Sequence, residues 1–364
     1  MKKFVGNAVL VLLGIVFPIV VVDVTVWFLP TDLLPGALGN LKQRMEASQT
    51  PKYWRADAYL RSVIRPGTDA MFVGDEFSFR TKTHLNFPDA GFRGGSLGGP
   101  IWGIAVGDSF TFGCCVNQEK SWVTHLANLA HHEIANLGIP GHGPQQYTRT
   151  LEKYGLQLKP KVVFYGLYTN DLADSISFDE WLKGHKKPIS FKRFLKQHSV
   201  VYNLLRSLRS PDDKNSRYID VQGTAVKLVP GKLRDPFEVT PRVFDTAWAL
   251  TARQIERAIA DTKRIDATFV LLYFPSKEEV YWDSVKDEAK RYRSFEEQRG
   301  KLSRAAGALC ASDRILCLDL TAALQRRALQ RQSLYYPIDI HWNEQGNHAV
   351  AEEIYRFLLG KNII

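Results

Sequence analysis

From residue 100 onward the apolar positions alternate between two patterns. Short, nearly continuous apolar runs cover 101–106, 133–137, 161–166, 267–274 and 314–319. Between them, apolar residues recur at helical spacing over 121–132, 145–158, 242–263, 284–307 and 345–359. In the first helical stretch Trp122, Leu126, Leu129 and Ala130 fall on one face. A strand apolar at every position is one buried on both sides. The alternation predicts a parallel sheet with helices on both faces, an α/β fold. In such sheets ligands bind beyond the carboxyl ends of the strands.

The N-terminus reads differently. Lys2 and Lys3 precede an apolar run from Phe4 to Leu29 in which Asp23 is the one charge. From Phe4 to Val22 the run is 19 residues, close to the ~20 that span a hydrocarbon core. Trp27 and Phe28 suit the far interface. No small-x-small cleavage site precedes Asp23. The expectation is an uncleaved transmembrane signal anchor at 1–29, with everything after residue 30 outside the cytoplasm, on the periplasmic side of an envelope.

Residues 30–99 lack sustained periodicity and are broken by Pro30, Pro35, Pro51, Pro66 and Pro88. They read as a membrane-proximal extension with one strand within 71–79. Arg93 is expected at the surface rather than on a substrate. The stretch 172–241 interrupts the strand–helix alternation and is rich in Lys, Arg and aromatics. It reads as an insertion, with an amphipathic helix through Phe194, Leu195, Val201, Leu204, Leu205 and Leu208 and a loop at 210–216. A lid, a membrane-surface patch, a grip on an anionic polymer and a solvated decoration all remain open for it.

Composition narrows this little. The 364 residues are 45% hydrophobic, with a formal net charge of +10. Such a charge suits an anionic partner or a basic solvated surface. No nucleic-acid module is recognisable, and the compartment speaks against one. Of four cysteines, Cys114 and Cys115 are adjacent, and Cys310 and Cys317 flank a helix-to-strand connection. A Cys310–Cys317 disulfide would fit the compartment, but the low count favours buried thiols. Neither pair has zinc-site spacing with nearby histidines, so no metal or cofactor is expected.

The chemistry concentrates where the first strand ends, in Val106-Gly107-Asp108-Ser109-Phe110-Thr111-Phe112-Gly113. A serine on a turn from strand to helix is held exposed beside backbone N–H donors. It needs a base, and the base needs an orienting group. Tyr336-Pro337-Ile338-Asp339-Ile340-His341-Trp342 supplies an Asp and a His two residues apart, just before the last helix. Gly141 and Asn170 each follow a further predicted strand. His142, next to the glycine, is expected on a surface loop or at the pocket.

With these four blocks the chain resembles the SGNH (GDSL-type) hydrolase superfamily. The match runs through Gly107-Asp108-Ser109, Gly141, Asn170 with Asp171, and Asp339 with His341, in order across 100–360. Two departures stand out. One residue separates Asp339 from His341 where the commoner pattern has two, and Thr169 replaces the usual glycine before the asparagine. The Asp-x-His-Trp form is similar to that of some cell-surface polysaccharide-modifying members. The resemblance implies a flavodoxin-like three-layer α/β/α fold. It implies Ser109, His341 and Asp339 as catalytic residues, with Ser109, Gly141 and Asn170 as the oxyanion hole. The implied substrate is an O-acylated, expected O-acetylated, glycan of the cell envelope or its surroundings. Hydrolysis, O-acyl transfer to such a glycan, and a non-catalytic polysaccharide-binding role on the same fold are the functions left standing.

Overall fold

The computed structural model describes residues 14, 17–36, 38–39, 41–42, 45, 53–73, 76–94, 99–184, 194–195, 198–208, 217–221, 224–228, 241–284 and 299–364. The chain divides into two compact units. One joins Met1–Pro51 to Lys186–Lys214, and the other joins Lys52–His185 to Asn215–Ile364.

The larger unit opens with short antiparallel pairs. These are β1 (Trp54–Asp57) with β2 (Arg61–Ile64), β3 (Asp69–Val73) with β4 (Ser78–Lys82), and β5 (Leu85–Asn86) with β6 (Gly91–Phe92). In place of the single strand expected within 71–79, two antiparallel strands, β3 and β4, reach into that window. The central sheet follows: β7 (Ile101–Val106), β8 (Glu133–Asn136), β9 (Val162–Leu167), β12 (Thr268–Tyr273) and β13 (Leu316–Asp319). Before β12 comes a separate hairpin of β10 (Arg217–Val221) and β11 (Thr224–Leu228).

All pairings in the central sheet are parallel, in the order β8-β7-β9-β12-β13. This doubly wound order places its switch point between β7 and β9, where the chain leaves in opposite directions and a crevice opens. Alternate residues explain the all-apolar strands. Ala105, Phe164 and Val270 face one core, with Trp122 and Ile354. Ile104, Val163 and Leu271 face the other, with Tyr147 and Ile255. Each fully buried Val, Ile, Leu or Phe among them contributes about 1.5–3 kcal/mol.

The helices are α1 (Ser109–Phe112), α2 (Trp122–Ala130), α3 (Pro144–Thr150), α4 (Asp171–Leu182), α5 (Val200–Leu208), α6 (Pro241–Arg264), α7 (Lys277–Val280), α8 (Lys301–Asp313), α9 (Thr321–Leu329) and α10 (Glu344–Gly360). The expected insertion from 172 includes α4. That helix buries Leu172, Ser175 and Phe178, and Ser175 Oγ meets Thr251 Oγ1 on α6 at 2.8 Å. The alternation therefore continues to residue 182. Most of the basic stretch beyond it, and the loop at 210–216, lie outside the described residues. All four cysteines are free thiols, Cys310 and Cys317 included.

In the smaller unit, helix 17–28 packs with α5. Val26, Met45 and Val200 form its core. Asp23, the lone charge of the apolar run, accepts the Val201 N–H at 2.9 Å and so caps α5, while Ser199 Oγ accepts from Tyr202 N. Phe17 and Phe28 are 69% and 86% exposed. Among the described residues no helix is long and apolar enough to cross a membrane. The expected span at 1–29 begins in residues 1–13, outside the described residues.

Candidate active site

The nucleophile turn is built by close packing. At Gly107 a Cβ would fall 2.0 Å from Thr111 Oγ1, so only glycine lets β7 turn into α1. Asp108 caps α1, its Oδ1 accepting the Phe110 N–H at 2.9 Å. Ser109 is the first residue of the helix, where backbone N–H groups have no intrahelical partner. Gly113 closes the turn in the left-handed region at φ 72°. Asn136, at the end of β8, donates to Thr111 O at 2.9 Å and accepts from Gly138 N at 3.0 Å. It thereby ties the turn to the loop that carries Gly141. That glycine has φ +74°, and a Cβ there would meet nothing within 4 Å, so it borders open space.

Asn170 follows β9. Asp171 shapes its turn, accepting the Tyr168 N–H at 2.8 Å and the Tyr147 hydroxyl at 2.5 Å. Burial, then the neighbouring Asp108, push the Asp171 carboxyl well above the usual range. Asn170 Nδ2 and Ser109 Oγ both lie 3.5 Å from Asp108 Oδ2. Burial likewise raises the Asp108 carboxyl, against the Phe110 N–H and His341.

The base arrives from 232 residues away. Ser109 Oγ donates to His341 Nε2 at 2.8 Å, and His341 Nδ1 donates to Asp339 Oδ1 at 2.6 Å. The same carboxylate oxygen accepts the His341 backbone N–H at 2.9 Å. The short Asp-x-His spacing works because the carboxylate folds back over its own backbone and reaches ring and main chain together. Burial would lower the imidazole, but the charges of Cys114 and Asp339 outweigh it and bring it up to about 9.

Sequence reasoning missed what holds this segment. Lys277 Nζ, on a residue 2% exposed, donates to the carbonyls of Tyr336, Pro337, Ile338 and Asp339 at 3.0–3.4 Å. From the other side the Glu76 carboxylate accepts the N–H groups of Ile338 and Asp339 at 2.6–2.9 Å. The segment is clamped by an ammonium on its carbonyls and a carboxylate on its amides. Neither residue carries a local motif.

Two expectations are corrected. Arg93 is fully buried, not at the surface. Its guanidinium donates to Phe112 O, Gly113 O and Val116 O at 2.8–2.9 Å and stacks over Phe112 at 4.4 Å. It satisfies the carbonyls of the turn after the nucleophile, and burial lowers it to about 10. His142 is also buried, paired with Ser62 O at 2.9 Å. Burial pushes it down to about 4, so it is a neutral strut between loop and hairpin.

Residues 105–349 match the model of the GDSL-like lipase/acylhydrolase family. The chain belongs to that family. It is an SGNH-type serine esterase by membership, and its parallel α/β sheet is the fold the family implies. No curated protein matches the chain. Among solved structures it is similar to an acetylxylan esterase from Geobacillus stearothermophilus, at 14% identity and TM-score 0.37, covering 70% of this chain and 92% of that one. An acetyl xylan esterase named AlAXEase matches at 13% identity and TM-score 0.39, covering 70% and 99%. A protein described as lipolytic and of the G-D-S-L family, from Desulfitobacterium hafniense, matches at 16% identity and TM-score 0.36, covering 70% and 97%.

Proposed function

We propose that Ser109, His341 and Asp339 form the catalytic triad of an esterase that removes small O-acyl groups, acetyl first among them, from an extracytoplasmic glycan. The observation that carries the reading is the unbroken hydrogen-bond chain from Ser109 through His341 to Asp339. His341 takes the serine proton as Oγ attacks the ester carbonyl. Asp339 keeps the imidazole in the tautomer that leaves Nε2 bare, and it stabilises the cation that forms. The N–H groups of Ser109 and Gly141 and the Asn170 amide face the developing oxyanion, each such donor being worth about 3–4 kcal/mol. His341 then gives that proton to the departing sugar oxygen. It next takes a proton from a water molecule that attacks the acyl carbon, and returns it to Ser109 Oγ as the acid leaves. Nothing in these steps calls for a cofactor.

The glycan and its acetyl group rest on the Asp339-Ile340-His341-Trp342 pattern. Attachment to a membrane by the N-terminal apolar run, with the esterase outside the cytoplasm, rests on that run, Lys2 and Lys3. The ordered triad favours an enzyme over a binding protein on the same fold, because a binder has no use for a serine on a bare imidazole nitrogen.

The test follows acetate release from an aryl acetate and from O-acetylated polysaccharides, using the full chain in detergent. Ser109→Ala and His341→Ala are each expected to lose at least ~10³ in kcat, and a fluorophosphonate is expected to label Ser109. Activity equal in parent and both variants would overturn the triad. Preference for long-chain esters would overturn the small-acyl substrate.

A further inference from the structure

The turn that follows the nucleophile ends in two adjacent thiols that the proposed reaction does not use. Cys114 and Cys115 sit with their sulfurs 2.9 Å apart. Cys115 Sγ lies 3.6 Å from His341 Nδ1, the nitrogen on the side away from Ser109, and 4.0 Å from Asp339 Oδ1. One ligand atom from each of Cys114, Cys115 and His341 falls within 4.8 Å of the others. Sequence spacing could not show this, because the histidine comes from 226 residues away.

The loop is held in place for it. Cys115 has φ +77°, a left-handed conformation that costs a side chain strain and persists only where surroundings impose it. Arg93 fixes the carbonyls of Gly113 and Val116 on either side, and the Tyr336 hydroxyl donates to Cys115 O at 2.7 Å. Cys115 is buried, whereas Cys114 is partly buried.

We propose that Cys114 Sγ, Cys115 Sγ and His341 Nδ1 form a site for a soft divalent cation of the zinc type, and that its occupation switches the esterase off. Zinc bonds thiolate sulfur at ~2.3 Å and imidazole nitrogen at ~2.0–2.1 Å, so ligand atoms on a tetrahedral ion stand about 3.6–3.8 Å apart. The Cys115–His341 separation already matches. The two sulfurs need to open by about 1 Å, a shift that a χ1 rotation of the partly buried Cys114 supplies. Starting from the active, neutral ring, two Zn–S bonds form as whatever protons the two sulfurs carry leave to solvent. A Zn–N bond forms at Nδ1 as the proton there leaves to solvent, and Nε2 takes up one proton from solvent. The ring stays neutral but now carries its proton toward Ser109. It can no longer accept the serine proton, so the nucleophile is not activated. Asp339 loses the ring and keeps the His341 backbone N–H.

The test uses the full chain, reduced and handled without oxygen. Cobalt(II) is expected to give a thiolate-to-metal charge-transfer band saturating at one equivalent, in the parent and in Ser109→Ala alike. The band is expected to vanish in Cys114→Ser and in Cys115→Ala. Because it is read without substrate, it stands apart from any failure of the esterase reading. Zinc(II) is expected to cut aryl acetate turnover at least tenfold, reversibly by a chelator. In Cys114→Ser the zinc concentration needed for the same fractional loss is expected to rise at least tenfold. No band in reduced parent, a band that survives both cysteine variants, or equal zinc sensitivity in parent and Cys114→Ser would each overturn the site. So would zinc sensitivity that disappears in His348→Ala, since His125 and His348 form another ring pair, 5.0 Å apart.

Discussion

Ser109 and His341 meet at 2.8 Å, yet they are held by opposite means. The serine turn is fixed by shape. Gly107 admits Thr111, Asn136 ties down the main chain, and β7 is buried on both faces. The His341 segment has no regular structure beyond one bridge between Tyr335 and Trp342. It is fixed by charge, with Lys277 on its carbonyls and Glu76 on its amides. Shape transmits no information about protonation, whereas charge does. Damage to the two regions should therefore read out differently.

The largest effect is expected at Lys277. Lys277→Met leaves four carbonyls without their ammonium, and hydrogen bonds to a charged group contribute about 1.5–3 kcal/mol. With the segment loosened, Asp339 no longer orients the ring. The kcat is expected to fall about a thousandfold, approaching the ~10⁴ that loss of an orienting carboxylate costs in serine proteases. The pH profile should move as well. In the parent the base must be neutral, and its value of about 9 means that kcat/KM rises with pH and levels off above about 9. Once the Asp339 contact is lost, burial meets less opposition and the midpoint falls. The same raised value makes the folded state gain from protonation. That stabilisation is complete below the free-histidine value and is lost as pH rises through about 9. An unmoved midpoint in Lys277→Met would show that the segment holds its shape without the ammonium.

What could be read from the sequence divides along the same line. The strand ends ahead of Ser109, Gly141 and Asn170 were legible because an apolar run marks each. Asp339 and His341 were legible because they are two residues apart. Lys277 and Glu76 were not, since they act on main-chain atoms 59–62 and 262–263 residues distant. Any lysine or glutamate can do that, and no side-chain pattern records it. Arg93 was misplaced for a related reason: its partners are carbonyls of a turn about 20 residues later. Most of the strands between 54 and 92 escaped, and β3 and β4 were read as one, because they are two to five residues long. One of them, β3, also exposes Met71, which breaks the apolar alternation.

A smaller effect is expected from Gly107→Ala. The added methyl meets Thr111 at 2.0 Å, and overpacking of this kind costs about 1–3 kcal/mol. The turn must shift, and a misplacement of about 1 Å costs ~10²-fold in rate. The prediction that distinguishes this region is that kcat/KM falls by the same factor at every pH, because the imidazole and its carboxylate are untouched. Thr111→Ser in the same chain removes a methyl beside the collision and is expected to recover part of the loss. A shifted midpoint in Gly107→Ala would mean that the two regions are mechanically coupled.

The smallest effect belongs to Glu76→Gln, which tests whether charge or hydrogen bonding anchors the amide side of the clamp. Glutamine keeps one acceptor oxygen for the N–H groups of Ile338 and Asp339 and discards the charge. Hydrogen bonds to charged groups contribute about 1.5–3 kcal/mol and neutral ones about 0.5–1.5. The difference, about 1 kcal/mol, is the expected loss of stability, with kcat down less than tenfold. Because Lys277 still grips the carbonyls, the midpoint of the pH profile should stay in place. If Glu76→Gln instead matches Lys277→Met in kcat and in midpoint, the two charges act as one unit, and the segment depends on the pair rather than on the ammonium.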